Sequence, residues 1–395
     1  MKTRLTATMI GLLSCLYSTT PFASFFDEED NQLDLGHHIA ENATGFLPIP
    51  IIITEPAVGY GGGIAGLFLH ETEEEKKVRK EAALNARDGG ARLMPSAITL
   101  VGAGGTENGT WFAFAGHQHS WLKDRIRYLG GAGVGVANLN IYKDLSFPGF
   151  GPIAPIDKTL SFGTKTSGIV MMQKLQVRIA DTPLMLGIKQ VASKSKVETD
   201  SKVLNDLLDY TIGTETVSSG LGLLADYDTR NNFFYPSEGY QVSAEYMVYN
   251  EAIGSDHNYN NLNINAEVYI PVAQNWTVAF AGNYQNFDSN DIILPPTVKP
   301  YVDLRGISAY RFQGDEIQTV QGQVTYDITP RWNISAFYGV GRALDKGEQN
   351  HEDLAAGYGT GFRYKIARRY GLSIGADIAF SEEESAFYIS LGSGF

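Results

Sequence analysis

From about residue 217 to the C-terminus, apolar side chains recur at every second position, with polar residues or glycine between them. Leu262, Ile264, Ala266, Val268 and Ile270 alternate with Asn261, Asn263, Asn265, Glu267 and Tyr269. Leu372, Ile374, Ala376, Ile378 and Phe380 alternate in the same way with Gly371, Ser373, Gly375, Asp377 and Ala379. A period of two assigns the two sets to opposite faces of a pleated strand, so one face is apolar throughout. Segments of this kind fall near 57–69, 96–104, 110–121, 125–141, 165–180, 184–197, 217–228, 239–250, 258–271, 276–287, 317–328, 331–342, 354–366, 370–381 and 385–395. These are about fifteen strands, each near the ~9 to 11 residues that a membrane-crossing strand needs.

A sandwich core and a lipid-facing wall share this period, and the N-terminus separates them. The basic start MKTR, the apolar "LTATMIGLLSCLY" and the small residues of "TTPFA" have the three regions of a secretory signal peptide, with cleavage expected after Ala23. Cys15 could instead be a lipoprotein cysteine, but Leu13 and Ser14 make a weak lipobox. If Cys15 leaves with the signal, no disulfide, thiolate nucleophile or cysteine-bound metal remains. No later window holds about 18 consecutive apolar residues, so an exported membrane protein of this kind has to close its sheet into a barrel. The 43 glycines, 21 tyrosines and 20 phenylalanines fit such a barrel with its aromatic girdles.

Single-chain bacterial barrels have an even number of strands, so a sixteenth is expected. Counted back from the C-terminus, the tight turns "TPRW", "ARRY", "VAQN" and "ADTP" all fall at the periplasmic end. The missing strand therefore lies before residue 165, in the proline-bearing "FLPIPIIITEP" or within 142–164. Residues 71–86, with Glu73–Lys77 and Glu75–Arg79 pairings, predict a short exposed helix. Residues 24–45 form an acidic periplasmic segment too short for a domain, and the barrel domain runs from 46 to 395. The formal charge of −13 argues against a nucleic-acid partner.

Candidate chemistry is sparse. Gly61, Gly63 and Gly66 match G-x-G-x-x-G, but "IAGLFL" continues a strand where a dinucleotide site needs a helix. His117 and His119 share a strand face beside Trp121, a pairing that suits a membrane edge, and no third ligand is evident for a metal. G-x-S-x-G, H-E-x-x-H and P-loop patterns are absent, so neither enzymatic activity nor a cofactor is implied, and a hydrolase or acyltransferase ranks behind the other readings. Two constellations stand out. In "DYDTRNNFFYPSEGY", Asp226, Asp228 and Arg230 fall on the polar face and Pro236 and Gly239 make a turn. In "DLRGISAYRFQGD", Arg305 and Arg311 lie in a long loop, and an arginine folded into a confined lumen must find carboxylates.

These residues resemble those of the outer-membrane barrels that include BamA, TamA and the two-partner secretion transporters. "DYDTRNNFFYPSEGY" is similar to the family's D-x-R-x-x-x-x-P-x-x-G hairpin. Leu304, Arg305, Gly306 and Ile307 resemble the [VI]-R-G-[FY] motif of the sixth extracellular loop. "FYISLGSGF", with Phe387, Ile389, Leu391 and Phe395 on its apolar face, resembles the C-terminal signal read by the assembly machinery. The resemblance spans about residues 47 to 395. It implies a sixteen-stranded antiparallel outer-membrane barrel, all-β, with the loop tucked into the lumen and Arg305 bonded to the inner wall.

The family's usual partner for that arginine is an aspartate in an F-x-D-x-G strand. Here Phe337, Gly339 and Gly341 keep the frame, but glycine replaces the acid. Asp377 is the expected substitute, with Glu267 and Asp327 also facing inward. The segment before the barrel leaves no room for the family's POTRA domains, so a separate periplasmic chain would have to supply their role. The functional expectation is a barrel that moves protein or lipid into or across the outer membrane with a loop-gated lumen. The alternative is a passive or gated diffusion pore. Outer-membrane lipid, and the assembly machinery during its own insertion, are the other expected partners.

Overall fold

The computed structural model describes residues 25–27, 30–42, 46–86, 97–147, 156–199, 215–291, 294–295, 297–346, 351–382 and 384–392. The proposed signal peptide and Phe395 lie outside these residues. The chain forms one sixteen-stranded sheet in which each strand pairs antiparallel with the next in sequence. Helix α1 (Leu35–Asn42) precedes β1 (Phe46–Ile53) and β2 (Gly61–His70), and α2 (Glu73–Asn85) leads to β3 (Ala97–Thr106). Then follow β4 (Trp111–Trp121), β5 (Ile126–Phe147), β6 (Ile156–Arg178), β7 (Leu184–Thr199), β8 (Thr216–Asp228), β9 (Gly239–Tyr249), β10 (Tyr259–Ala273) and β11 (Trp276–Ser289). The last five are β12 (Glu316–Asp327), β13 (Trp332–Asp345), β14 (His351–Ala367), β15 (Leu372–Phe380) and β16 (Ser385–Leu391).

The sixteenth strand is the proline-bearing "FLPIPIII". Residues 142–164 add no strand, because their described part extends β5 and β6 into one long hairpin registered from Ile126–Val177 to Phe147–Ile156. Gly61 and Gly63 belong to the second strand, and a Cβ at either would lie 2.2 Å from a carbonyl oxygen of β3, so these glycines serve close packing.

The wall is inside-out relative to a soluble protein. Along β13, Trp332, Ile334, Tyr338 and Val340 are exposed while Asn333, Ser335 and Phe337 are buried. Gln321, Gln323 and Thr325 of β12 are likewise buried on the inner face. An apolar outer band around a polar interior is the pattern of a barrel in lipid. No helix among the described residues is long and apolar enough to cross a membrane.

Every neighbouring pair forms a ladder except the two end strands. Between β16 and β1 no ladder is present among the described residues, and one side-chain bond, Ile389 N–H to Thr54 Oγ1 at 3.2 Å, spans the seam. Alternate residues of a strand turn their N–H groups to opposite neighbours. Pro48 and Pro50 therefore place both missing donors on one edge, and proline is tolerated where that edge is free. Meanwhile β1 keeps an unbroken register with β2, from Phe46–Phe68 to Ile53–Gly61.

Candidate functional site

The loop between β11 and β12 folds into the barrel as a finger. Tyr301 and Gln313 bridge its two arms, and Val302 N–H bonds to Phe312 C=O at 2.9 Å. Its base is pinned by Lys299, whose Nζ lies 2.8 Å from Asp315 and 3.3 Å from Asp345. Val302, Leu304 and Ile307 are buried against Ile317, Ala343 and Ala355 on the wall. Between them Gly306 adopts φ +92°, a left-handed turn that glycine enters without steric cost.

Arg305 projects from this turn onto β12, β13 and β15. Its Nε donates to Gln321 Oε1 at 3.2 Å and its Nη2 to Gln323 Oε1 at 2.9 Å. Its guanidinium lies 3.5 Å over the centroid of the Phe337 ring, a cation–π stack. Nη1 is 3.4 Å from Asp377 Oδ2. The closer partner of Asp377 is Arg363 of β14, which grips both carboxylate oxygens at 2.7 Å in a bidentate pair. Asp377 and Arg363 are almost fully buried, so this carboxylate holds one wall arginine and one loop arginine together. Arg311 sits 5.6 Å over Phe312.

Two of the expected partners of Arg305 are engaged elsewhere. Glu267 accepts from Arg230 Nη1 at 3.1 Å and from the Tyr269 hydroxyl at 3.0 Å. Asp327 lies on the same face of β12 as Gln323 but nearer the turn into β13, among Asn333 and Lys365. Gly339 has its own reason: a Cβ there would lie 3.0 Å from Leu304, and one at Gly341 would lie 2.5 Å from Val302. Packing of the loop occupies the space that an acid would need. Composition concealed a second device, the glycines of β14. A Cβ at Gly357 would lie 2.3 Å from the Arg305 carbonyl oxygen, and one at Gly361 would lie 1.7 Å from Asp377 Oδ1.

Beyond Arg305 the finger crosses the seam. Gly306 N–H donates to the Tyr388 hydroxyl of β16 at 3.0 Å, and the Ser308 backbone and hydroxyl both donate to Glu384, in the β15–β16 connection. Ala309 N–H reaches Glu55, in the β1–β2 connection, at 3.4 Å. Burial pushes the Glu55 carboxyl up, with Asp303 and Glu384 adding repulsion, and burial also raises Asp303.

The other end carries the short turns and is the periplasmic end by the rule for such barrels. In the β8–β9 hairpin, Arg230 forks onto Asp228 at 3.0 and 2.9 Å, while Asp226 accepts from Gln241 at 3.2 Å. Pro236 is buried, and Gly239, at φ +100°, would set a Cβ 2.5 Å from the Thr229 oxygen. The hairpin reaches across the mouth, where Asn232 Nδ2 donates to Tyr370 C=O at 3.2 Å. Within the acidic N-terminal segment, Leu35–Asn42 form α1, and Asp27, Asp30 and Asp34 converge on Arg331. Helix α2 forms as expected with different pairings: Glu75 completes a capping box with Thr72, Arg79 pairs with Glu71, and Glu73 meets Lys76. His117 and His119 face outward, with His70 and Thr99 beside them and His119 stacked on Trp121 at 4.2 Å. Phe387 and Leu391 are exposed on the outer face of β16.

The inward loop, the end strands without a ladder among the described residues and the apolar exterior define a sixteen-stranded membrane-type β-barrel with a loop folded into its lumen. Its fold is that of BamA and CdiB barrels. Over 88% of this chain it matches BamA from Haemophilus ducreyi lacking POTRA domains 1–3, with a TM-score of 0.57 and 10% identity. It also matches CdiB from Acinetobacter baumannii over 89% (TM-score 0.54, 11% identity) and CdiB from Escherichia coli over 88% (0.54, 8%). The matches cover 70% of the BamA chain and 59% and 61% of the two CdiB chains. No protein-family model matches the sequence, and no curated protein does either.

Proposed function

We propose that this barrel moves protein or lipid into or across the outer membrane through the β1–β16 seam, without catalysis, and that the inserted loop controls both lumen and seam. The observation that carries this reading is the seam: its two strands are the only neighbours without a ladder among the described residues, and the loop bridges them through Glu384 and Glu55. Separating two strands elsewhere in the wall would break a row of backbone hydrogen bonds inside lipid, where each unpaired group costs several kcal/mol. Among the described residues, parting β1 from β16 breaks none of that row.

A diffusion pore needs an open axis, and the inserted elements oppose one. Two pockets lie in the described lumen. One of about 250 Å3 lies between Tyr249, Tyr259 and Val298, and another of about 330 Å3 between Tyr235, Gln323 and Lys365. The test is deletion of the gene, with outer-membrane protein and lipid composition compared before and after. The seam reading expects one of these to change. Unchanged composition with reduced small-solute uptake would overturn it in favour of a pore.

A further inference from the structure

The periplasmic end of the seam is bridged by a separate device. Arg331, in the turn between β12 and β13, is only 1% exposed and binds three aspartates of the N-terminal segment. Its Nη2 donates to Asp27 at 2.6 Å, its Nη1 to Asp34 at 2.8 Å, and its Nε to Asp30. Arg368 lies 3.7 Å from Asp27 and offsets the surplus negative charge. Three carboxylates at positions 27, 30 and 34 converge because the segment turns back on itself, with Phe26 bridged to Leu33. The Tyr364 hydroxyl donates to Leu33 C=O, and Asp34 Oδ1 accepts from Gly36 N–H at 2.6 Å, starting α1.

Helix α1 then sets Leu35, Ile39 and Ala40 into an apolar patch drawn from both sides of the seam. Leu47, Ile49, Leu67 and Leu69 come from β1 and β2, whereas Ala367, Tyr370 and Leu372 come from the β14–β15 corner. A second link runs in parallel, since Arg369 Nη1 donates to Ala83 C=O at 3.2 Å and to Leu84 C=O in the last turn of α2. Elements on opposite sides of a joint that has no ladder among the described residues are thus bridged by α1 and α2, which belong to neither seam strand.

We propose that residues 25–27 and 30–42 are a releasable clasp that holds the periplasmic end of the β1–β16 seam together, with Arg331 as its latch. The clasp is releasable because side-chain ion pairs and one helix face attach it to the wall, whereas the strands are joined by ladders. Ion pairs of this kind gain little net stability against their desolvation cost but are lost sharply when one partner goes. The proposal rests on the seam described above, and it stands or falls independently of what passes through.

The test uses full-length protein in nanodiscs, with Cys15→Ser removing the single cysteine and nitroxide labels at Phe46→Cys and Leu391→Cys, one on each seam strand at its periplasmic terminus. A protease site inserted between Asn42 and Phe46 lets the clasp be cut after the barrel has folded, so folding failure does not confound the result. Cut protein is expected to retain the peptide, and Arg331→Gln to weaken its retention by about a hundredfold or more. Once the peptide leaves, the label distance is expected to lengthen and broaden. Arg125→Gln, which removes an ion pair with Asp181 in another turn of the same end, is expected to leave both readings unchanged. Label distances that stay the same after complete release of the peptide would overturn the clasp. Retention of the peptide unaffected by Arg331→Gln would overturn the latch.

Discussion

Arg305 and Asp377 meet only because neighbouring side chains make room and share charge. Asp377→Asn leaves two buried arginines short of a counter-charge and is expected to cost about 3–5 kcal/mol. Arg305→Ala, which removes a long bond to Asp377, two amide bonds and a ring stack, is expected to cost about 2 kcal/mol. Urea unfolding in detergent micelles measures both, and the reverse order would contradict the bidentate role of Arg363. Gly361→Ala, forcing a methyl onto Asp377, is expected to expose the loop to protease in folded barrels.

Acid is expected to act oppositely at the two ends. Glu55 is raised by burial, so its contribution is fully present below the unfolded carboxyl value and is lost as pH rises through the folded one. Asp30 is lowered by its bond to Arg331, so its contribution is present above the unfolded value and is lost as pH falls through the folded one. Burial opposes the charge of Arg331, but its bonds to Asp30 and Asp34 outweigh that and raise it, keeping the latch cationic throughout. Limited proteolysis between about pH 3 and pH 8 is expected to show the N-terminal segment loosening on acidification while the loop tightens. Glu55→Gln is expected to flatten the loop's profile alone.

At the scale of elements, alternation made most strands legible, because each wall residue faces either lipid or lumen and the two environments demand opposite chemistry. β1 was harder to read: two prolines break strand preference, and what permits them is a free edge, a property of the assembled barrel. The inward loop was readable from Leu304–Ile307 and its resemblance, and Asp377 from the alternation along its strand. Arg363 and the β14 glycines were not, since their role depends on which strands become neighbours. The N-terminal segment read only as acidic and too short for a domain, because its partner, Arg331, lies some 300 residues away, beyond any local pattern. Replacing Pro48 and Pro50 with threonine restores two donors on the free edge. Seam labels in that variant are expected to report a shorter, narrower distance, and an unchanged distribution would count against the prolines as the cause of the open seam.

In the whole molecule these features form one arrangement: a wall that, among the described residues, is laddered everywhere but one joint, a loop across that joint at one end, and a helix across it at the other. Purified protein is accordingly expected to conduct little in planar bilayers, with longer openings in Arg305→Ala. The most direct test fastens the joint itself. A disulfide between Thr54→Cys and Ile389→Cys, positions already linked by a hydrogen bond, ties β1 to β16 without touching the lumen. In a gene-deletion strain, the locked variant is predicted to leave outer-membrane protein and lipid composition as altered as the deletion does, with recovery on reduction. A locked barrel that restored normal composition as fully as the reduced one would contradict the seam as the route.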